Sequence, residues 1–331
     1  MSQVISLLTS RLGRGPYGFL ETVWSAAASW LVLALFAVLV LFPTVGSAMD
    51  LAQAAMLPPA THSPESKRRD VLECRPGYLF GTNRLQFRDG DNAHIPPSVQ
   101  DVYLSSAMLG AEVRKFLSKD IGIRAQGSIN VPGKSRNEFL LFDGDAVRLG
   151  SWKTRYQTVD ADVGLVYDFG LGVMPYDAGL LAGFKYQYFE YCSDREDKSG
   201  PFRNAMHVLI PNLGFYYVNS DLAGFRVRFD WAASPAVLSR VFGDGYVGDS
   251  TLRVDGHSLT GAWYEASFVV SAPVTEGFGL GVSCRYNYLE ITGGATLNSV
   301  RRRDGLYNST RFSMDSRHHL FVVALSGAYA F

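Results

Sequence analysis

The sequence predicts an all-β protein: a transmembrane antiparallel β-barrel of ten strands, with short periplasmic turns and long extracellular loops. Two observations predict it. Beyond residue 75, apolar and polar residues alternate with period two, and neither a long helical period nor a run of eighteen apolar residues interrupts them. The connections between alternating segments are short and long by turns, which sorts them to the two ends of a barrel. A soluble β-sandwich would alternate equally well, but its loops would not sort by side.

Composition narrows the function classes. The chain has 331 residues, with 31 Lys+Arg and 31 Asp+Glu, so its formal net charge is zero. That length suits two soluble domains or one large barrel. A nucleic-acid partner calls for a basic surplus, and the balance argues against one. Charged residues make up 19%, below the roughly 25% of a soluble domain, and so apolar a chain is not disordered. Cys74, Cys192 and Cys284 form no Cys-x-x-Cys pair. Neither a disulfide framework nor a metal is expected, and no cofactor.

Along the chain, the N-terminus comes first. Arg11 and Arg14 precede a stretch from Thr22 to Met49 that carries no charge. Its apolar heart runs from Trp30 to Phe42. Pro43 stops the helix, and Gly46-Ser47-Ala48 follows. This order is that of an export signal cleaved after Ala48, with Ala52-Gln53-Ala54 as a second candidate. A retained anchor is the alternative, for which the apolar heart is short. Residues 1–48 are therefore read as an export signal peptide and 49–75 as a periplasmic lead-in rich in Pro, Ser and charge. Residues 76–331 are read as the barrel, in the outer membrane of a bacterial cell.

Ten segments alternate: 76–88, 102–116, 121–131, 155–169, 178–192, 206–218, 224–233, 259–274, 278–291 and 317–331. Short connections lie near Lys119-Asp120, Leu171–Asp177, Ser220-Asp221 and Glu276-Gly277. Longer ones cover 132–154, 193–205, 234–258 and 292–316. From Val159 to Tyr167, Val159, Ala161, Val163, Leu165 and Tyr167 share one face, and Asp160 and Asp162 the other. From Phe225 to Trp231, Phe225, Val227, Phe229 and Trp231 oppose Arg226, Arg228 and Asp230. From Leu280 to Tyr288, Ser283, Arg285 and Asn287 share a face. Val163, Phe229 and Phe268 are expected to point outward, and Asp160, Arg228 and Glu265 inward.

The inner faces collect Glu112, Arg114, Arg124, Asp160, Asp162, Asp168, Lys185, Arg226, Arg228, Asp230, Glu265 and Arg285. Six are basic and six acidic. In a narrow ten-strand lumen such charges pair across the interior and fill it. A conducting pore would need a wider barrel, and selectivity would favour one sign.

The last strand alternates Phe321, Val323, Leu325, Gly327, Tyr329 and Phe331 up to an aromatic C-terminus. It resembles the insertion signal of bacterial outer-membrane barrels. An isolated edge strand this apolar would aggregate.

Several stretches, taken in order, resemble the omptins, ten-stranded outer-membrane endopeptidases. Leu109 to Gly127 is similar to their first periplasmic hairpin. Ala182-Gly-Phe-Lys-Tyr-Gln-Tyr-Phe189 is similar to their Ala-Gly-Tyr strand. Ile210-Pro-Asn-Leu-Gly214 followed by Phe225 to Trp231 resembles a further hairpin, and Ser267–Thr275 and Ser326–Phe331 the last strands. The ordered set over 76–331 carries the resemblance, and no single motif does.

The resemblance implies cleavage by a water held between an Asp pair and an Asp-His pair. An imidazole oriented by a carboxylate takes a proton from water, and closely spaced carboxylates share a proton and position that water. The counterparts here are Asp143 and Asp145 in Asp143-Gly-Asp145, and Asp244 in Asp244-Gly-Tyr246. Tyr246 stands where the family has His. Tyrosine titrates near about pH 10 against about 6.5 for histidine, so it is a poor base at neutral pH. His207, His257, His318 and His319 lie near expected extracellular strand ends, and spacing favours none of them. Asp-Gly-Asp is equally a surface turn.

Omptins also use lipopolysaccharide as an activator, held on the outer wall. The resemblance places that wall at Phe184, Tyr186 and Tyr188, where charge has given way to aromatic rings suited to an interfacial girdle. Arg301-Arg302-Arg303 in the last long loop could meet lipid phosphates or tip into solvent. Two functional readings follow. One is a surface endopeptidase using Asp143, Asp145 and Asp244. The other is a non-catalytic barrel acting as an adhesin or surface binding protein, which the missing His favours. The expected partners are outer-membrane lipid and peptides or proteins at the cell surface.

Overall fold

The computed structural model describes residues 70–88, 98–143, 146–169, 176–193, 202–222, 224–247 and 250–330. The expected export signal at 1–48 and most of the lead-in lie outside the described residues, as does Phe331. Among the described residues all regular structure is strand: β1 Val71–Arg88, β2 Ser98–Phe116, β3 Ile121–Asn130, β4 Gly133–Asp143, β5 Ala146–Asp168, β6 Tyr176–Ser193, β7 Phe202–Leu222, β8 Phe225–Ser234, β9 Leu238–Val247, β10 Ser250–Thr275, β11 Phe278–Arg301 and β12 Tyr307–Ala330. β1 begins at Val71, ahead of the boundary at 76 expected from alternation, because Pro76 and Gly77 interrupt the apolar pattern there.

Each strand pairs antiparallel with its neighbours, and β1 pairs with both β2 and β12. The sheet therefore closes on itself and leaves no long open edge. Twelve strands replace the expected ten, and two prolines account for the difference. β3 and β4 both lie between β2 and β5, separated at Val131-Pro132. β8 and β9 both lie between β7 and β10, separated around Pro235. Proline has no N–H to give the ladder, so each of two long strands is cut in two. The ring keeps ten strand positions.

The expected long loops are a second correction. Most of 132–154, 234–258 and 292–316 is hairpin, with β4 returning as β5, β9 as β10 and β11 as β12. These extensions lie beyond the apolar band. On β12 the sense of alternation inverts there, exposed Arg311 and Ser313 flanking buried Phe312 and Met314 while the ladder continues.

The faces follow the expected register. Val163 and Phe268 are exposed, and Phe229 packs on the outward Phe215 with ring centroids 5.8 Å apart. Arg228 and Glu265 are buried. On β12 the exposed apolar stripe runs from Phe321 to Tyr329. That is the ~9–11 residues with which a tilted strand crosses a bilayer.

Candidate functional site

The interior is built in two layers. Towards the end where β1 begins and β12 finishes, the inward positions hold an ion-pair network. Glu112 accepts from Arg228 at 2.6 Å and from Arg75 at 2.8 Å, with Arg114 at 3.5 Å. Arg228 also meets Asp230 at 2.6 Å, and Arg75 is paired with Glu73 at 2.5 Å. Arg124 reaches Asp162 at 3.1 Å. Lys185, fully buried, donates to Glu265 at 2.6 Å, and both Lys185 and Arg285 approach Asp160, at 3.4 and 3.5 Å. Charges from strands on different sides of the ring thus neutralise one another, as buried charges must. Glu73 and Arg75 belong to this network although the sequence reading placed them in the lead-in. Their alternation across Cys74 was the available signal.

Above the ions the interior is apolar. Leu79, Leu104, Tyr156, Phe189, Met206, Ile210, Trp263, Leu289, Ile291, Met314 and Leu320 form one buried cluster. Some polar groups within it are tied locally, whereas Trp263 Nε1, His318 Nδ1 and the Gln187 amide have no hydrogen-bond partner among the described residues. Asn83 donates to the Tyr191 hydroxyl at 2.7 Å, and Ser316 meets His318 Nε2 at 2.9 Å. A cavity of about 20 Å³ among Arg75, Gln126, Ser128, Ser267 and Arg285 has room for about one water. Among the described residues, side chains therefore occupy the bore where a channel would run.

The carboxylates singled out from the sequence sit at the far end. Asp143 closes β4 opposite Ala146 in the hairpin to β5. Asp145 lies outside the described residues. Asp244 is exposed on β9, with Arg203 of β7 and Arg253 of β10 opposite it in register. Tyr246, two residues on, is paired with Thr251 in the backbone register. The two hairpins are separated by the strand positions of β6 and β7. Of the candidate bases, His207 and His319 hydrogen-bond with Tyr186 and Tyr286, and His318 stacks on Phe189 at 4.4 Å. None of these three is bonded to a carboxylate among the described residues.

The outer wall carries a feature the sequence reading missed. Lys185-Tyr-Gln-Tyr-Phe-Glu190 on β6 and Arg285-Tyr-Asn-Tyr-Leu-Glu290 on β11 are one pattern written twice. Inward, both place a cation, an amide and an apolar residue at successive levels. Outward, both build the same cluster. Tyr186 bonds His207 at 2.8 Å, and Tyr286 bonds His319 at 2.9 Å. Tyr188 packs on His207 with ring centroids 5.0 Å apart, and Tyr288 on His319 at 4.9 Å. Tyr188 donates to Glu190 and Tyr288 to Glu290. Arg203 then clamps Glu190 at 2.8 Å, and Arg317 clamps Glu290 at 2.9 Å. A search for short internal repeats was the signal that could have found it.

No family model and no curated protein sequence matches the chain. Among solved structures it is similar to the outer membrane protease OmpT from Escherichia coli, with a TM-score of 0.67 and 13% identity over 81% of this chain and 100% of that one. The fold is that of an outer-membrane β-barrel. The likeness is one of fold and does not extend to activity. The translocator domain of autotransporter NalP from Neisseria meningitidis matches at a TM-score of 0.36 and 12% identity, over 87% of this chain and 95% of that one. The outer membrane protein OprG from Pseudomonas aeruginosa matches at 0.37 and 12%, over 79% and 96%.

Proposed function

We propose that this chain resides in the bacterial outer membrane as a non-catalytic barrel that holds extended hairpins above the surface to bind proteins or peptides. The observation that carries the reading is the filled interior. Among the described residues, paired charges occupy one end, and the apolar cluster around Phe189, Trp263 and Leu289 occupies the level above them. Asp244 supports it too, because it is exposed on β9 between Arg203 and Arg253. Residues 1–48, read as an export signal, fit the route to that membrane. Reconstituted barrel in phospholipid vesicles is expected to leave sugar permeability at the level of empty vesicles. Swelling in small sugars that scales with the amount of protein would contradict a filled bore.

A second reading is an omptin-type endopeptidase. It is supported by the fold likeness to OmpT and by the carboxylates Asp143 and Asp244 at the far-end hairpins. In it Asp143 and Asp145 would orient water, Asp244 would assist a base, and lipopolysaccharide on the outer wall would activate. Tyr246 argues against it, since a neutral phenol does not deprotonate water at pH 7.

A further inference from the structure

We infer that the seam between β1 and β12 is a binding site for the phosphate of a lipid head group, held between Arg84 and Arg317. The inference rests on the membrane reading above. These two arginines lie directly opposite each other in the ladder. Like charges so placed repel and destabilise a sheet, yet both are half-exposed, at 58% and 51%. Each is steadied from its far side. Asp101 of β2 takes Nε and one Nη of Arg84 at 2.8 and 2.9 Å, and Glu290 of β11 takes Nε of Arg317 at 2.9 Å. The row across four strands therefore reads acid, base, base, acid.

An anion between the two guanidiniums meets both cations before either carboxylate. The donors left over by the carboxylates match phosphate oxygens. A guanidinium stays protonated at any physiological pH, so both charges are permanent.

Height selects a lipid as the occupant. The next outward positions below are Thr82, His319 and Tyr288, with Tyr78, Phe80, Phe321 and Val323 beneath them. A row just above an aromatic belt lies at the level of head-group phosphates. The repeated cluster supplies an internal control. On the β6–β7 copy Arg203 has the same Tyr-Tyr-His platform and the same glutamate clamp. However, its cross-strand neighbours are Cys192 and Asp244 instead of a second arginine. That copy lacks the facing pair and is not expected to bind. β12 is five strand positions from β6 in either direction around the ring, so this site is on the wall opposite Phe184, Tyr186 and Tyr188.

The test uses the full barrel in mixed micelles with a fluorescent phosphatidic acid as probe, read by anisotropy. Arg84→Gln with Arg317→Gln is expected to weaken binding by about thirtyfold, and Arg203→Gln to leave it within about twofold. Equimolar inorganic phosphate is expected not to displace the probe. Equal binding by the double variant and the unmodified chain overturns the site. So does an equal loss with Arg203→Gln, and displacement by inorganic phosphate overturns the lipid assignment. If the double variant does not fold, Arg317→Gln alone carries the test, with a loss of about fivefold. Flotation of each variant with vesicles reports membrane insertion separately. Failure to float counts against the membrane reading, and floating with unchanged binding counts against this site alone.

Discussion

Glu112→Ala is expected to destabilise the barrel by about 3–5 kcal/mol, because it breaks a buried ion network at its centre. The Glu112 carboxylate is 1% exposed and takes Arg228 and Arg75 at 2.6 and 2.8 Å, with Arg114 nearby at 3.5 Å. Without it three guanidiniums share one end of the lumen with less compensating charge. The cost is that of uncompensated buried charge, not the net worth of a salt bridge. Glu112→Ala combined with Arg228→Met is therefore expected to lose less than the two changes summed. Urea titration of the barrel folded in vesicles measures both. Glu290→Ala is the contrast, since its pair with Arg317 is on the surface and is worth about 0–1 kcal/mol. Equal effects at Glu112 and Glu290 would mean that water fills the lumen and screens its charges.

Trp263→Ala is expected to cost about 3–5 kcal/mol, from the apolar half of the interior. The indole is 2% exposed and belongs to the same buried cluster as Phe189, Leu289 and Leu320. The Lys185 ammonium lies 5.3 Å from its ring centre. Removal leaves a void that neighbouring strands, tied on both sides by ladder hydrogen bonds, cannot collapse into. It also strips the low-dielectric cover from the Lys185–Glu265 pair. Urea titration again reads the effect. A loss below about 1 kcal/mol would indicate that the interior at this level is already open to water.

Much of this fold was legible in period-two alternation, because a sheet with lipid outside and paired charge inside must alternate. Val163, Phe268, Arg228 and Glu265 fall on the faces assigned from sequence for that reason. The prolines at 132 and 235 were visible too, but they were read as strand ends when they are breaks within strand positions. The hairpin extensions were illegible as strands. On β12 the sense of the alternation is inverted, with exposed Arg311 and Ser313 flanking buried Phe312 and Met314, and a short polar-out, apolar-in stretch reads as loop beside the lipid-facing strands. The filled interior was only half legible. The charged residues announced their pairing, whereas Phe189, Leu289 and Ile291 gave no sign that they share one cluster, since cross-barrel contacts leave no local trace. Of the candidate site, sequence order located the carboxylates at hairpins. It did not reveal that Asp244 is exposed on β9 between two arginines.

The measurement that bears most directly on function is peptide cleavage by the purified barrel. The assay supplies lipopolysaccharide and peptides with paired basic residues at pH 7. The unmodified chain is expected to cleave none above the rate without protein, since Asp244 has arginines opposite it in register and Tyr246, in the family's His position, is a poor base at pH 7. General-base assistance is worth roughly 10²–10⁴ in rate, so its absence leaves only a trace. Tyr246→His, which writes the Asp-x-His pattern at 244–246, is the companion variant and is expected to stay inactive because Asp244, with Arg203 and Arg253 opposite it in register, faces cations instead of orienting the new imidazole. Robust turnover by the unmodified chain, abolished by Asp143→Ala or Asp145→Ala, would contradict the account and establish a peptidase.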